Sequence, residues 1–242
     1  MAAFPCTQSS PGGGLNKAAR KLIIRRQTGL LQECTTGWPR RDKSLLEINC
    51  GRGTFAMLLW EWGYDVTVTE PSPELRATAE ERCGDRVAVE AASDDHLPFD
   101  DESFDWVVLH AIHGERPIED AIEEAIRVAS SGVAVTFWNS LSPACRFSPD
   151  RGMFSRNAFG WWRIWKCVNA AGKGRGSSLG TLAGLPCFWT RPAADRLCTL
   201  LSPNALAGWC IIRLDLRPSN LVTPLVVRIG RLLRPQQAAD GA

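Results

Sequence analysis

The chain has no Cys-x-x-Cys pair among its nine cysteines, and their number is odd, so neither a zinc site nor a complete disulfide framework is indicated. No apolar run reaches the about eighteen residues that a membrane-spanning helix needs, and the amino terminus lacks an apolar signal-peptide core. Neither sign of charge dominates. Against 28 Lys and Arg stand 26 Asp and Glu, a formal net charge of +2, which removes the general electrostatic case for a nucleic-acid binder. These absences lead to the expectation of a soluble protein of a reducing cytoplasm.

Of the residues present, 45% are hydrophobic and 22% charged, ordinary for a folded globular chain. At 242 residues there is room for one α/β domain with a large core, with or without a cap. Residues 1–14, with Ser9-Ser10-Pro11 and Gly12-Gly13-Gly14, read as a flexible leader. From Asn16 to about Cys34 apolar residues recur among Lys17, Arg20, Lys21, Arg25 and Arg26, as on a packing helix with a solvated basic face.

The chain is organised around Leu45 to Ala56. Leu45, Leu46 and Ile48 suit a buried parallel strand, Gly51 and Gly53 relieve the backbone past its end, and Thr54 can cap a helix. Ligands of open α/β sheets bind at such strand ends, so a nucleotide-like ligand is expected. Gly51, Gly53 and Ala56 also satisfy the weak Gly-x-Gly-x-x-Gly/Ala dinucleotide fingerprint. Charge separates the two readings. A pyrophosphate favours bare N–H groups at a helix start, whereas the sulfonium and ammonium of S-adenosylmethionine favour a nearby carboxylate, which Glu47 supplies.

Downstream, strands and helices alternate: a strand at Asp65–Glu70, a helix from Pro73 to about Arg82, a strand at Arg86–Ala91, a polar loop at 92–99 and a strand at Phe104–His110. Pro117 opens the clearest amphipathic helix, Ser130-Ser131-Gly132 stops it, and Val133–Trp138 is a fifth strand. The alternation predicts an α/β, doubly wound, mostly parallel sheet.

Four pieces in this order resemble the class I S-adenosylmethionine-dependent methyltransferases, within the group that includes ubiquinone and menaquinone biosynthesis methyltransferases. They are Leu46-Glu47-Ile48-Asn49-Cys50-Gly51-Arg52-Gly53, the strand-end Glu70, Leu97-Pro98-Phe99 with Ser103-Phe104-Asp105, and Arg127-Val128 before Gly132. The resemblance spans roughly residues 44–139. It implies a Rossmann-like methyltransferase fold with S-adenosylmethionine as cofactor. Glu47, Asn49, Cys50, Gly51 and Gly53 would frame its methionine end, Glu70 with Pro71 its ribose, and the loop carrying Ser93, Asp94 and Asp95 its adenine. This chain departs from the family twice. Asn49 stands where the family has its first glycine, a position Asn tolerates better than other side chains, and Ser93 aligns with the acid that commonly meets the adenine amino group.

Methyl transfer leaves the protein mainly the task of alignment; for a hydroxyl acceptor, His110 and His113, just past strand four, are the candidate bases, with a structural role as the simpler reading. Residues 141–190, rich in Trp, Arg, Lys and Gly, are expected as a cap after strand five, with residues 15–140 as the cofactor-binding core, 191–235 as its C-terminal part and 236–242 as a tail. Trp161, Trp162 and Trp165 suit a lid over an apolar acceptor, a membrane-surface patch, a nucleic-acid surface, or plain core. The expected partner is a small-molecule acceptor, with a membrane-derived one as an alternative, and no nucleic acid. No metal is expected. Pro192–Leu201 reads as a helix, Trp209–Leu216 as a sixth strand and Leu221–Leu233 as helical. The family's seventh strand is not evident after Leu233.

Overall fold

The computed structural model describes residues 17–112, 117–147, 158–171, 176–182 and 204–217. The expected leader, His113, the helices at 192–201 and 221–233, and the tail lie outside the described residues. The first helix, α1 (Lys17–Thr35), buries Ile23, Leu30 and Leu31 and exposes Arg20, Lys21 and Arg25, as its pattern predicted.

An eight-stranded sheet follows. Its strands are β1 (Ser44–Ile48), β2 (Asp65–Thr69), β3 (Ala88–Glu90), β4 (Phe104–His110), β5 (Ala129–Asn139), β6 (Ala158–Phe159), β7 (Gly176–Thr181) and β8 (Trp209–Asp215). They lie in the order β3-β2-β1-β4-β5-β8-β7, with the short β6 continuing beside the end of β5. Every pairing from β3 to β5 is parallel, and β8 runs antiparallel to both its neighbours. The chain winds outward from β1 in one direction through β2 and β3, then in the other through β4 and β5. That reversal opens a crevice at the carboxyl ends of β1 and β4.

The helices α2 (Thr54–Glu61) and α3 (Pro73–Cys83) cover one face with α1, burying Phe55, Leu59 and Ala79. The other face is covered by α4 (Ile118–Val128), through Ile118, Ala121, Ile122 and Ala125, and by a helix named below. Covered on both faces, β4 is buried without alternation from Trp106 to His110. Each fully buried Leu or Ile in these layers contributes about 1.5–3 kcal/mol relative to exposure.

Three expectations change. Residues 158–171 and 176–182 do not stand apart as a cap: α5 (Pro143–Phe147) closes the end of β5, and α6 (Trp161–Ala171) packs beside α4, with Ile164 and Val168 buried and Trp161 nearly so. Trp161, Ile164, Trp165 and Val168 are spaced i, i+3, i+4, i+7, a helical stripe obscured by surrounding Arg, Lys and Gly. Among the described strands β7 is the sheet's edge, and with β8 beside it they supply seven strands in the order β3-β2-β1-β4-β5-β8-β7. Finally, Gly132 does not stop α4: β5 begins at Ala129, and a Cβ at Gly132 would lie 2.8 Å from the Leu214 carbonyl oxygen and 3.0 Å from the Trp106 ring. That glycine lets β8 and Trp106 approach the strand.

Candidate functional site

Past the end of β1, three alternate residues take left-handed backbone angles: Asn49 (φ 60°), Gly51 (φ 61°) and Gly53 (φ 66°). The turn they make lifts the chain over the sheet edge and into α2. Asn49, which stands where the resemblance leads one to expect a glycine, takes a left-handed angle of the kind glycine adopts freely. Gly53 is further constrained by packing, because a Cβ there would meet Cys83 Sγ at 3.0 Å. Thr54 is the first helical residue and not the cap; Gly53 takes the cap position, and Thr54 Oγ1 accepts from the Arg82 guanidinium at 2.7 Å.

Glu70, one residue beyond β2, reaches back to this turn. One carboxylate oxygen accepts from the Gly51 N–H at 2.8 Å and the other from the Ser72 N–H at 3.0 Å, so the acid ties the glycine turn to the start of α3. Burial pushes its pKa above the ordinary value, against the pull of those two N–H groups and of Arg76. Pro71 is exposed between them.

The loop after β3 sorts its polar residues. Ser93 bonds to the Asp95 carboxylate within a local turn, while Asp94 points inward and accepts from Asn49 Nδ2 at 2.8 Å. Of the three candidates, Asp94 is the one joined to the crevice, and burial raises its pKa too. A clamp behind holds the loop: Arg127 donates to the carbonyls of Leu97 (3.2 Å) and Phe99 (2.8 Å) and pairs with Glu124, which accepts from the Leu97 N–H.

Glu47 and His110 meet beneath the turn. Nε2 of His110 lies 2.8 Å from Glu47 Oε1, and Nδ1 lies 2.7 Å from Thr136 Oγ1, with Phe55 stacked on the ring at 5.3 Å. Glu47 is 0% and His110 1% exposed. This corrects the expectation for His110 as a base toward an acceptor: both ring nitrogens are engaged inside the protein. His113 lies outside the described residues. Cys50 is fully buried, and burial together with Glu47 and Glu70 pushes its thiol pKa up, which favours the neutral thiol over the thiolate. Sequence reasoning missed Thr136, although a lone hydroxyl inside the apolar run Val133–Trp138 marks a polar partner within the core.

The buried side-chain atoms without a hydrogen-bond partner in this region are the acceptors Glu47 Oε2 and Asn49 Oδ1, with Thr69 Oγ1 and Arg52 Nε beside them. Buried acceptors without partners are costly, and a donor-rich cation is the group that would satisfy both. The residues therefore fit the methionine end of S-adenosylmethionine, whose ammonium brings donors and positive charge. An unpaired carboxylate oxygen at this position disfavours a pyrophosphate, and among the described strands the antiparallel β8 takes the full-length place beside β5. Among the described residues no His, Cys, Asp and Glu cluster suits a metal, and no helix is long and apolar enough to cross a membrane.

Residues 46–137 match the family model described as "Methyltransferase domain". An uncharacterized methyltransferase of Bacillus subtilis, YodH, is 31% identical over 93 residues, which are 37% of this chain and 40% of that protein; the chain thus spans well under half of that relative's length. Among solved structures, a SAM-dependent methyltransferase of Thermotoga maritima superposes with a TM-score of 0.60 at 19% identity, covering 84% of this chain and 96% of the other. A methyltransferase of an Anabaena variabilis antibiotic biosynthesis pathway gives 0.59 at 16% identity, with 79% and 96% covered. At these identities the structural likeness speaks to the fold.

Proposed function

We propose, from the match of residues 46–137 to the methyltransferase domain model and from the fold shared with S-adenosylmethionine-dependent methyltransferases, that the protein transfers a methyl group from S-adenosylmethionine to a small, apolar or lipid-like acceptor. The observation that carries the reading is the buried Glu47 carboxylate with one oxygen unpaired at the sheet's switch point. S-adenosylmethionine supplies an electrophilic methyl on its sulfonium, and its transfer is an in-line displacement. The chain's own residues bind and orient. Glu47 and Asn49 would accept from the ammonium, Glu70 would accept from the ribose hydroxyls, Asp94 would serve the base, and the Gly51–Gly53 turn would leave backbone space for the ligand.

The acceptor side lies past β5. Leu141, Phe147 and Leu206 are exposed apolar side chains at that end of the sheet, where Asn139 ties β5 to the carbonyls of Ala205 and Ala207. They support an apolar acceptor, with a membrane-derived molecule as its extreme form. A second reading, a methyltransferase fold that binds without catalysing, draws on Asn49, whose side chain crosses to Asp94 where the family has a glycine. Calorimetric titration with S-adenosylmethionine, S-adenosylhomocysteine and NADH tests the assignment. Binding of the first two and not the third is expected; NADH binding, or none at all, would overturn it.

A further inference from the structure

Glu47, His110 and Thr136 stand on three adjacent parallel strands, β1, β4 and β5, and their side chains form one continuous hydrogen-bonded row beneath α2. His110 and Thr136 are direct register partners. The row is dry: the three residues are 0%, 1% and 2% exposed, and the Phe55 ring covers the imidazole. An ionised Glu47 can only accept, so Nε2 of His110 carries the proton it donates to Oε1. Nδ1 then accepts from the Thr136 hydroxyl, which fixes that tautomer.

Among the described residues, His110 is the sole ion-pair candidate recorded for Glu47, and no lysine or arginine pairs with it. His110 engages one carboxylate oxygen, and Oε2 has no partner. Were this row only packing, three apolar side chains would fill it at lower cost. We infer that His110 is a positioning residue for the amino-acid end of the cofactor: held in one tautomer by Thr136, it fixes Oε1 of Glu47 so that Oε2 faces the ligand's ammonium as an unspent acceptor. This rests on the S-adenosylmethionine reading and adds to it two residues, one of which was a candidate base and the other unnoticed.

The test compares two ligands that differ only at that end. S-adenosylhomocysteine keeps the ammonium and carboxylate; 5′-methylthioadenosine keeps the adenosine and thioether and lacks both. Affinities are measured by calorimetry for the wild type and for His110→Phe, His110→Gln and Thr136→Val. His110→Phe should lose about tenfold or more in S-adenosylhomocysteine affinity, the scale of one hydrogen bond to a charged group. Its affinity for 5′-methylthioadenosine should stay within about twofold, as for sites sharing no contact. His110→Gln, which retains an N–H donor toward Oε1, should recover part of the loss, and Thr136→Val should show a smaller loss with the same ligand dependence. Equal losses for both ligands, or none for S-adenosylhomocysteine in a folded variant, would overturn the inference. If His110→Phe does not fold, the Gln and Val variants carry the same comparison. A wild type that binds neither ligand would instead overturn the cofactor reading, and this inference with it.

Discussion

Asn49 donates from its side-chain amide to Asp94 Oδ2 at 2.8 Å and to the His110 carbonyl at 3.1 Å, so a single residue in a left-handed conformation pins together the end of β1, the end of β4 and the loop after β3. Both bonds are lost in Asn49→Ala and in Asn49→Gly, but only alanine keeps a Cβ at φ 60°. That conformation costs about 1–2 kcal/mol for a residue with a Cβ. The expected stability order in urea denaturation is therefore wild type, then Gly, then Ala. An alanine variant as stable as the glycine variant would show that the turn relaxes.

Gly51 lies at φ 61° and is buried, with its N–H held by Glu70. Gly51→Val places a β-branched side chain in a conformation it rarely adopts and into the space the ligand needs. S-adenosylhomocysteine binding should be abolished in calorimetry, with a stability loss of at least about 1–2 kcal/mol. Unchanged affinity in a folded variant would place the site elsewhere.

Glu70→Ala should weaken cofactor binding by about 1–3 kcal/mol, the range for hydrogen bonds to a charged acceptor. The pH dependence has a definite sign. Burial raises the folded pKa of Glu70 above 4.5, so the folded ligand-free protein holds this proton more tightly than the unfolded chain, and its contribution to stability falls as pH rises from 4.5 through the raised value. Glu70→Gln should remove that decline in thermal melts taken across the acid range.

The clamp behind the loop has the opposite sign. The Arg127 guanidinium holds the Glu124 carboxyl below its ordinary 4.5, so its stabilisation is present above that value and is lost as pH falls through the depressed one. Glu124→Gln should flatten the acid limb of the stability curve. Arg127→Met should speed hydrogen exchange at the Leu97 amide, which Glu124 holds at 3.0 Å. Exchange as slow as in the wild type would mean that the loop is held by its own turn.

Much of the fold was legible because buried parallel strands are continuous apolar runs. Leu45–Ile48, Phe104–His110 and Val133–Trp138 announce themselves, and the glycine turn, Glu70 and the acidic loop then fall at strand ends by connectivity alone. What was hidden was the far edge of the sheet. β7, Gly-Ser-Ser-Leu-Gly-Thr, carries no apolar run because edge strands need not bury both faces, and without it Trp161–Ala171 looked like an insertion. The site was half legible for a related reason. Residue type and spacing mark Glu47 and His110 as near a crevice, but which way a strand-end side chain points depends on register, and the register of β4 with β5 turns His110 onto Thr136.

The antiparallel β8 also sets an order of assembly. Among the described strands β7 pairs only with β8, which lies between it and β5, so a segment made earlier in synthesis waits at the periphery until a later one slots between it and the finished strands. The half of the sheet from β3 to β5 can gather as its chain emerges, while the final two strands close in a single non-local step. Such closure is slow, because the entropy of looping must be met before any pairing rewards it. During that interval the β5 flank is an open template for another chain, so aggregation on refolding should begin there.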